Sequence, residues 1–392
     1  MAKLVSLASF CIAGSLGAIG SVAVAQTAAP TTMPSGLSAT LVSLSNDNAT
    51  AEEAFLSIGR QAGVKFVTQP PNLWDSEEMA MPLALELKDR PFWSAVRELC
   101  TEANVQPNMH YGGHGGDGRR VTLTSPTMMG GNPDSRPWSK LPTVEVDGML
   151  VQATAFNRQQ SVNYQFPGHS QNHSSVQLTV FVDPAIRVSS FNGGARVEAA
   201  VDDNGNSLVI DEKGRNMIHY GSNSQNGLVY TVQAQLKYPE KNPGKKITNL
   251  RCTLLLRGGD KVDSLTVDKP LEAAKVSKEF GDTTVTFHGL KKIDAPEGQP
   301  AQYQLRVGLT RDDERGDDPW AVMRTAQLLD DKGVPLSFSG GGGGNNIYTV
   351  TYAARNNDDG QPTGEPVRWM IELPTGTRAI RVPVEFKDLP MP

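Results

Sequence analysis

The spacing of apolar and polar residues divides the chain into an early mixed region and a long β-prone region. Ala39 to Leu44 alternates apolar with polar residues, as a half-buried strand does. Thr50 stands where a helix N-cap belongs, with Glu52 and Glu53 in the first turn. Ala54, Phe55, Ile58 and Ala62 fall on one helical face, and Gly63 is a C-cap residue. Val64 to Thr68 reads as a strand stopped by Pro70-Pro71. Leu83, Leu85 and Leu87 alternate with Ala84, Glu86 and Lys88 and predict another strand. Pro91 opens a second helix at its first position, striped by Phe92, Val96, Leu99 and Ala103. The helices are therefore predicted at 51–62 and 91–103. A hairpin of Asn108 to Tyr111 and Arg119 to Thr124 completes the order β-α-β-β-α-β-β.

From Thr143 onward no amphipathic helix stands out. Short β-prone runs separated by turn residues succeed one another, among them SVQLTVFV, LVYTVQAQLKY, ITNLRCTLLL, QYQLRVGL, NIYTVTYAA and IRVPVEF. Strand-and-turn repetition of this kind predicts β-sandwiches. A repeated hairpin signature, an apolar residue, Asp-Asp-x-Gly and then Leu, occurs at Asp202-Asp203-Asn204-Gly205 with Leu208 and at Asp330-Asp331-Lys332-Gly333 with Leu336. Asp202 lies 24 positions after Leu178, and Asp330 lies 25 after Leu305. The matched spacing points to two related sandwiches divided near Pro239-Glu240. The fold expected is multidomain: a small α+β domain at 37–126, then all-β structure as sandwiches at 143–239 and 240–392. Pro- and Gly-bearing stretches at 26–36 and 127–142 read as linkers, and Gly340 to Gly344 reads as a floppy connection.

Composition narrows the class. The chain has 392 residues, 38% hydrophobic and 20% charged, which is enough apolar material for real cores. Its formal net charge of -5 is spread without a basic cluster, so no nucleic-acid face is expected. Met1-Ala2-Lys3, the apolar and small residues from Leu4 to Val24, and Ala23-Val24-Ala25 before Gln26 fit a secretory signal at 1–25. Cys11 lies inside the apolar run, which argues against a lipoprotein. No later run approaches a helical membrane span. An exported chain, periplasmic or extracellular, is expected. Cys100 and Cys252 remain after cleavage; they fall in different predicted domains and are expected to be free, buried thiols.

The region 37–126 resembles the short N-terminal domain of secretins and TonB-dependent transducers. The strand ending LVSLSND, the capped helix AEEAFLSIGRQAG, VKFV, the strand LALELKDRP and the helix FWSAVRELCTEANV carry the resemblance. Gln61-Ala62-Gly63 stands at the family's helix end, and Leu87-Lys88-Asp89-Arg90-Pro91 at its strand-to-helix joint. The resemblance implies docking onto an envelope partner and brings no catalytic residue with it. The remainder of the chain reads as neither a secretin pore nor a TonB-dependent barrel, so no transport role is implied. The β region resembles tandem immunoglobulin-like domains of bacterial envelope proteins only in architecture.

No constellation of catalytic residues assembles along the chain. His169 and His173, and His110 and His114, lie in Gly-, Ser- and Asn-rich stretches without the helix that would aim them at a metal. Asp202, Asn204 and Asn206 begin like a calcium loop, but Ser207 and Lys213 stand where it needs Gly and Glu. Asp312 to Asp318 is an acidic stretch that reads as a solvated loop, with weak collection of a divalent cation as the alternative. The glycine run lacks the Lys and Ser or Thr of a phosphate loop, and no nucleophile elbow is present. Catalytic, cofactor and metal residues are accordingly none. The expected function is non-catalytic binding or scaffolding in the cell envelope, with residues 37–126 docking on an envelope protein or wall component. The alternative is a secreted carbohydrate-active hydrolase with a hidden carboxylate pair, for which Trp138 and Trp320 are the candidate sugar platforms.

Overall fold

The computed structural model describes residues 39–45, 48–77, 79–108, 119–126, 137–161, 164–165, 171–210, 223–224, 227–294, 299–311, 322–323, 325–355 and 363–392. The expected signal at 1–25 and linker at 26–36 lie outside them. The described chain is mostly β, with several sheets and two α-helices.

The early region contains β1 (Leu41–Leu44), α1 (Ala51–Ala62), β2 (Lys65–Gln69), β3 (Leu87–Pro91), α2 (Phe92–Glu102), β4 (Gln106–Pro107) and β5 (Arg120–Thr124). Thr50 and Glu53 form a reciprocal capping box, so two amides that a helix start leaves unpaired are satisfied. Gly63 ends α1 at φ 63°, a left-handed conformation that costs glycine little. β1 pairs with β3, and β5 lies between β2 and β4. Three expectations shift here. The strand expected from Leu83 begins only at Leu87, because β1 is four residues long and Leu87 already pairs with Leu44 at its end. Pro91 is the N-cap of α2 rather than its first residue, and the Phe92 amide donates back to the Thr40 carbonyl. The last antiparallel pairing involves Gln106 and Pro107, ahead of Asn108, and residues 109–111 of the expected strand lie outside the described residues.

The β region continues with β6 (Thr143–Val146), β7 (Met149–Ser161), β8 (Gln171–Phe181), β9 (Arg187–Asp202), β10 (Asn223–Ser224), β11 (Val229–Leu236) and β12 (Lys246–Gly259). It goes on through β13 (Lys261–Asp268), β14 (Val276–Phe280), β15 (Thr283–Ile293), β16 (Gln302–Arg311) and β17 (Ala326–Asp330). It ends with β18 (Ser337–Gly344), β19 (Ile347–Ala353), β20 (Pro366–Thr375) and β21 (Arg378–Pro390). One eight-stranded sheet runs β21-β12-β9-β11-β8-β7-β6, with β10 beside β11. Its two halves meet at one parallel pair, Ala195 with Ala234. Both halves supply one core, with Leu178 and Val180 of β8 packed among Leu250 and Leu254 of β12 and Val382 and Phe386 of β21. A second core is built from two further sheets, β13-β20-β17 and β14-β15-β16-β19-β18, and is centred on Phe287, Leu305, Trp369 and Ile371.

The sheet crosses the boundary expected at 239/240. β12 and β21 come from beyond it, yet they pair with each other, and β12 pairs with β9. The reason is a single antiparallel ribbon. Lys246 pairs with Pro390, Gly258 with Arg378, Lys261 with Thr375 and Asp268 with Arg368. β12–β13 and β20–β21 are thus two continuous strands in one register, half in each core. At the joint a Cβ on Gly259 would lie 2.9 Å from the Thr375 carbonyl oxygen, so only glycine lets the strands approach so closely.

The expected linker at 127–142 is also partly structured. Trp138 opens a 3-10 turn and is buried, its ring 5.4 Å from that of Phe181. It closes a seam between the early region and the first β core. Trp93 of α2 is fully buried, packs 4.8 Å from Phe181, and donates its indole N–H to the Val182 carbonyl at 2.8 Å. Asp183 receives the Thr40 amide at 2.7 Å, the Thr40 hydroxyl at 2.6 Å and the Ala185 amide at 2.8 Å. Leu150, Phe181, Leu228 and Val229 belong to the same apolar cluster as both helices. The early region therefore shares its core with its neighbour instead of owning it.

Gly340 to Gly344 is a strand, not a floppy connection: β18 pairs with β19 from Ser337 opposite Ala353 to Gly344 opposite Ile347. The ring of Tyr348 lies over Gly343, where an added Cβ would come within 2.4 Å of it.

The packing sets the cost of two substitutions. Trp93→Ala should cost about 3–5 kcal/mol in urea unfolding, whereas Trp93→Phe keeps the bulk, loses one hydrogen bond and should cost about 1 kcal/mol. Gly343→Ala should lose about 1–3 kcal/mol through overpacking, while Gly342→Ala, which meets nothing within 4 Å, should stay within about 0.5 kcal/mol of the parent.

Candidate interaction surfaces

The residues nominated for chemistry are either structural or lie outside the described chain. His110, His114, His169, Trp320 and the acidic stretch 312–318 are outside it; His173 falls in β8. Trp138 is 6% exposed and presents no sugar platform. Cys100 and Cys252 are free and buried in separate cores. Burial pushes both thiols up; for Cys252, with Glu198 adding to the effect, the value reaches about 12. Neither is a thiolate nucleophile at neutral pH. Among the described residues no group of three or more His, Cys, Asp or Glu is placed to hold a metal ion.

The calcium-like turn points inward. Asp202 is 2% exposed, and its carboxylate accepts the Asn204 amide at 3.0 Å, the Asn206 amide at 2.7 Å, the Asn206 side chain at 2.8 Å and the Gly244 amide at 2.8 Å. Four donors occupy the oxygens that a cation would need. Asp330, also 2% exposed, is built the same way. It accepts the Lys332 amide at 3.0 Å, the Val334 amide at 2.8 Å and the Gly364 amide at 2.9 Å. Leu208 bonds back to Ala200 and Leu336 to Leu328. The sequence signature thus marks two equivalent structural turns. In each, burial pushes the carboxyl up, but the hydrogen bonds together outweigh burial and hold it below the ordinary carboxylate value.

Among the described residues, two surfaces bear on a partner. On the early region the α2 face is spent on the seam, whereas the α1 side shows Leu56 at 46% exposure and the neighbouring β1 shows Leu41 at 53%. Strand addition to β1 is blocked at its centre. The Gln61 side chain receives the Ser43 amide at 3.0 Å and donates to the Ser43 carbonyl at 2.9 Å, as a neighbouring strand would. The second surface is β18, the terminal strand of its sheet. It carries no charge along its length, and natural edges usually carry charge to discourage pairing. The sequence hid this surface, because a glycine run normally weakens a strand. Its one legible cue is NIYTVTY, which supplies the pairing partner and the covering ring.

The turns generate a pH prediction. A carboxyl whose value is lower in the fold than in the unfolded chain stabilises the fold above its unfolded value, about 3.9, and loses that contribution as pH falls through the folded value. Stability should therefore be flat with respect to these groups at neutral pH and fall below about pH 4. Asp202→Asn with Asp330→Asn should lower stability at pH 7 by about 2 kcal/mol per turn and flatten the acid limb, as measured by urea unfolding from pH 7 to 2.5. Compared with family models, with curated proteins and with solved structures, the chain matches none of them.

Proposed function

We propose that the chain is a non-catalytic binding or scaffolding protein of the cell envelope, exported by residues 1–25 to the periplasm or cell exterior. The early α+β region is its docking module, of the kind seen in the secretin/TonB short N-terminal family, and the β region is a pair of immunoglobulin-like sandwiches that act as a spacer. One observation carries the reading: a ribbon of unbroken register crosses both β cores. Such a connection suits a part that must hold geometry rather than open around a substrate. The seam at Trp93 extends this support to the docking module. The burial of Trp138 removes one of the two sugar platforms on which a hydrolase reading would draw. The partner, an envelope protein or wall component, meets the α1 side of residues 37–126, where Leu41 and Leu56 stand exposed beside Glu52, Glu53 and Arg60.

The test uses the mature chain as bait in an envelope extract. A component retained by the parent should be lost with Leu41→Glu plus Leu56→Glu, which change exposed side chains and leave the melting temperature within a few degrees. The reading fails if the double variant retains the same component, or if the mature chain cleaves polysaccharide.

A further inference from the structure

Apart from the parallel contact of β9 with β11, which has no counterpart between β17 and β19, the strands of the two β cores correspond in chain order. β6 pairs with β7, β7 with β8, β8 with β11, β10 with β11 and β9 with β12, all antiparallel. β14 pairs with β15, β15 with β16, β16 with β19, β18 with β19 and β17 with β20, again all antiparallel. The Asp202 and Asp330 turns end the corresponding strands β9 and β17, and Gly244 and Gly364, which bond to them, precede the corresponding strands β12 and β20. Among the described residues each set has seven strands and is succeeded at once by one more: β13 after β12, and β21 after β20. These trailing strands are crossed over. β13 pairs with β20 of the second set, and β21 pairs with β12 of the first. The ribbon is the line along which the exchange occurs.

We infer that the two sets are copies of one module that have exchanged their trailing strands, and that the first module is a strand receptor whose ligand is the chain's own C-terminal strand. The recognised pattern is alternation: Ile380, Val382, Val384 and Phe386 enter the first core while Arg381, Pro383 and Glu385 face outward. Without β21 the receptor exposes the unpaired edge of β12 and the apolar side chains of Leu250, Leu254 and Leu256. The second module has no such dependence on the C-terminus, since β13 already completes it.

Strand exchange does not depend on the proposed function, and it places damage where chain order would not. In a full-length Val384→Ala variant, amide exchange in β9 and β12 should rise about tenfold, while β15, β16 and β19 stay within about twofold. Leu265→Ala in β13 should give the mirror image. Removing residues 377–392 should deprotect Ile247 to Leu256 and leave the Phe287, Leu305 and Trp369 core protected, and a synthetic 377–392 peptide added in trans should restore protection at one peptide per chain. If the shortened chain does not fold, the two point variants decide alone. Exchange rising equally in both modules, or first in the second module for Val384→Ala, overturns the inference, as does a folded shortened chain that takes up no peptide.

Discussion

A β-ladder holds its strands in register because a slip of one residue turns every side chain to the wrong face. In this protein one ladder carries that constraint through two cores. Leu250, Leu254, Val382 and Phe386 point into the first core, and Leu265, Val267, Trp369 and Ile371 into the second, from the same pair of strands. A shift in one core would therefore misplace side chains in the other. The close approach at Gly259 keeps the ladder continuous across the joint.

The early region depends on the first core in turn. Its second helix spends its largest side chain, Trp93, on a neighbour's carbonyl and aromatic ring. A buried indole needs both apolar contact and a partner for its N–H, and the β8 end supplies both through Phe181 and Val182. Asp183, two residues beyond Phe181, then holds Thr40. Three consecutive positions at the end of one strand thus bind the α+β region to the β region.

Local elements were legible in the sequence where local chemistry decides them. The capped helix at Thr50, its glycine stop, the stripe of the second helix and the paired Asp-Asp-x-Gly turns are all set by residues within a few positions of one another. The features that stayed hidden are non-local. Nothing near residue 380 states that its partner lies near residue 256, so the expected division at 239/240 cut through a sheet. Trp138 read as linker because its neighbours are Pro, Ser and Lys, and residues distant in sequence, Phe181 among them, make it core. The glycine strand read as loose because its order comes from β19. For surface sites the sequence named an oxygen-rich turn at Asp202, and the structure buries its carboxylate.

The ribbon also governs how the protein would bear load. Each of its two strands is anchored at one end in the first core and at the other end in the second. Drawing the cores apart therefore stretches two covalent backbones side by side, and neither can lengthen until a whole strand is dragged lengthwise out of its sheet. Tension applied at Met391 meets a different resistance. There the ladder opens from the Lys246–Pro390 end, one bond after another. The same twelve-pair ladder between β12 and β21 is thus strong along the ribbon and weak at its Lys246–Pro390 end.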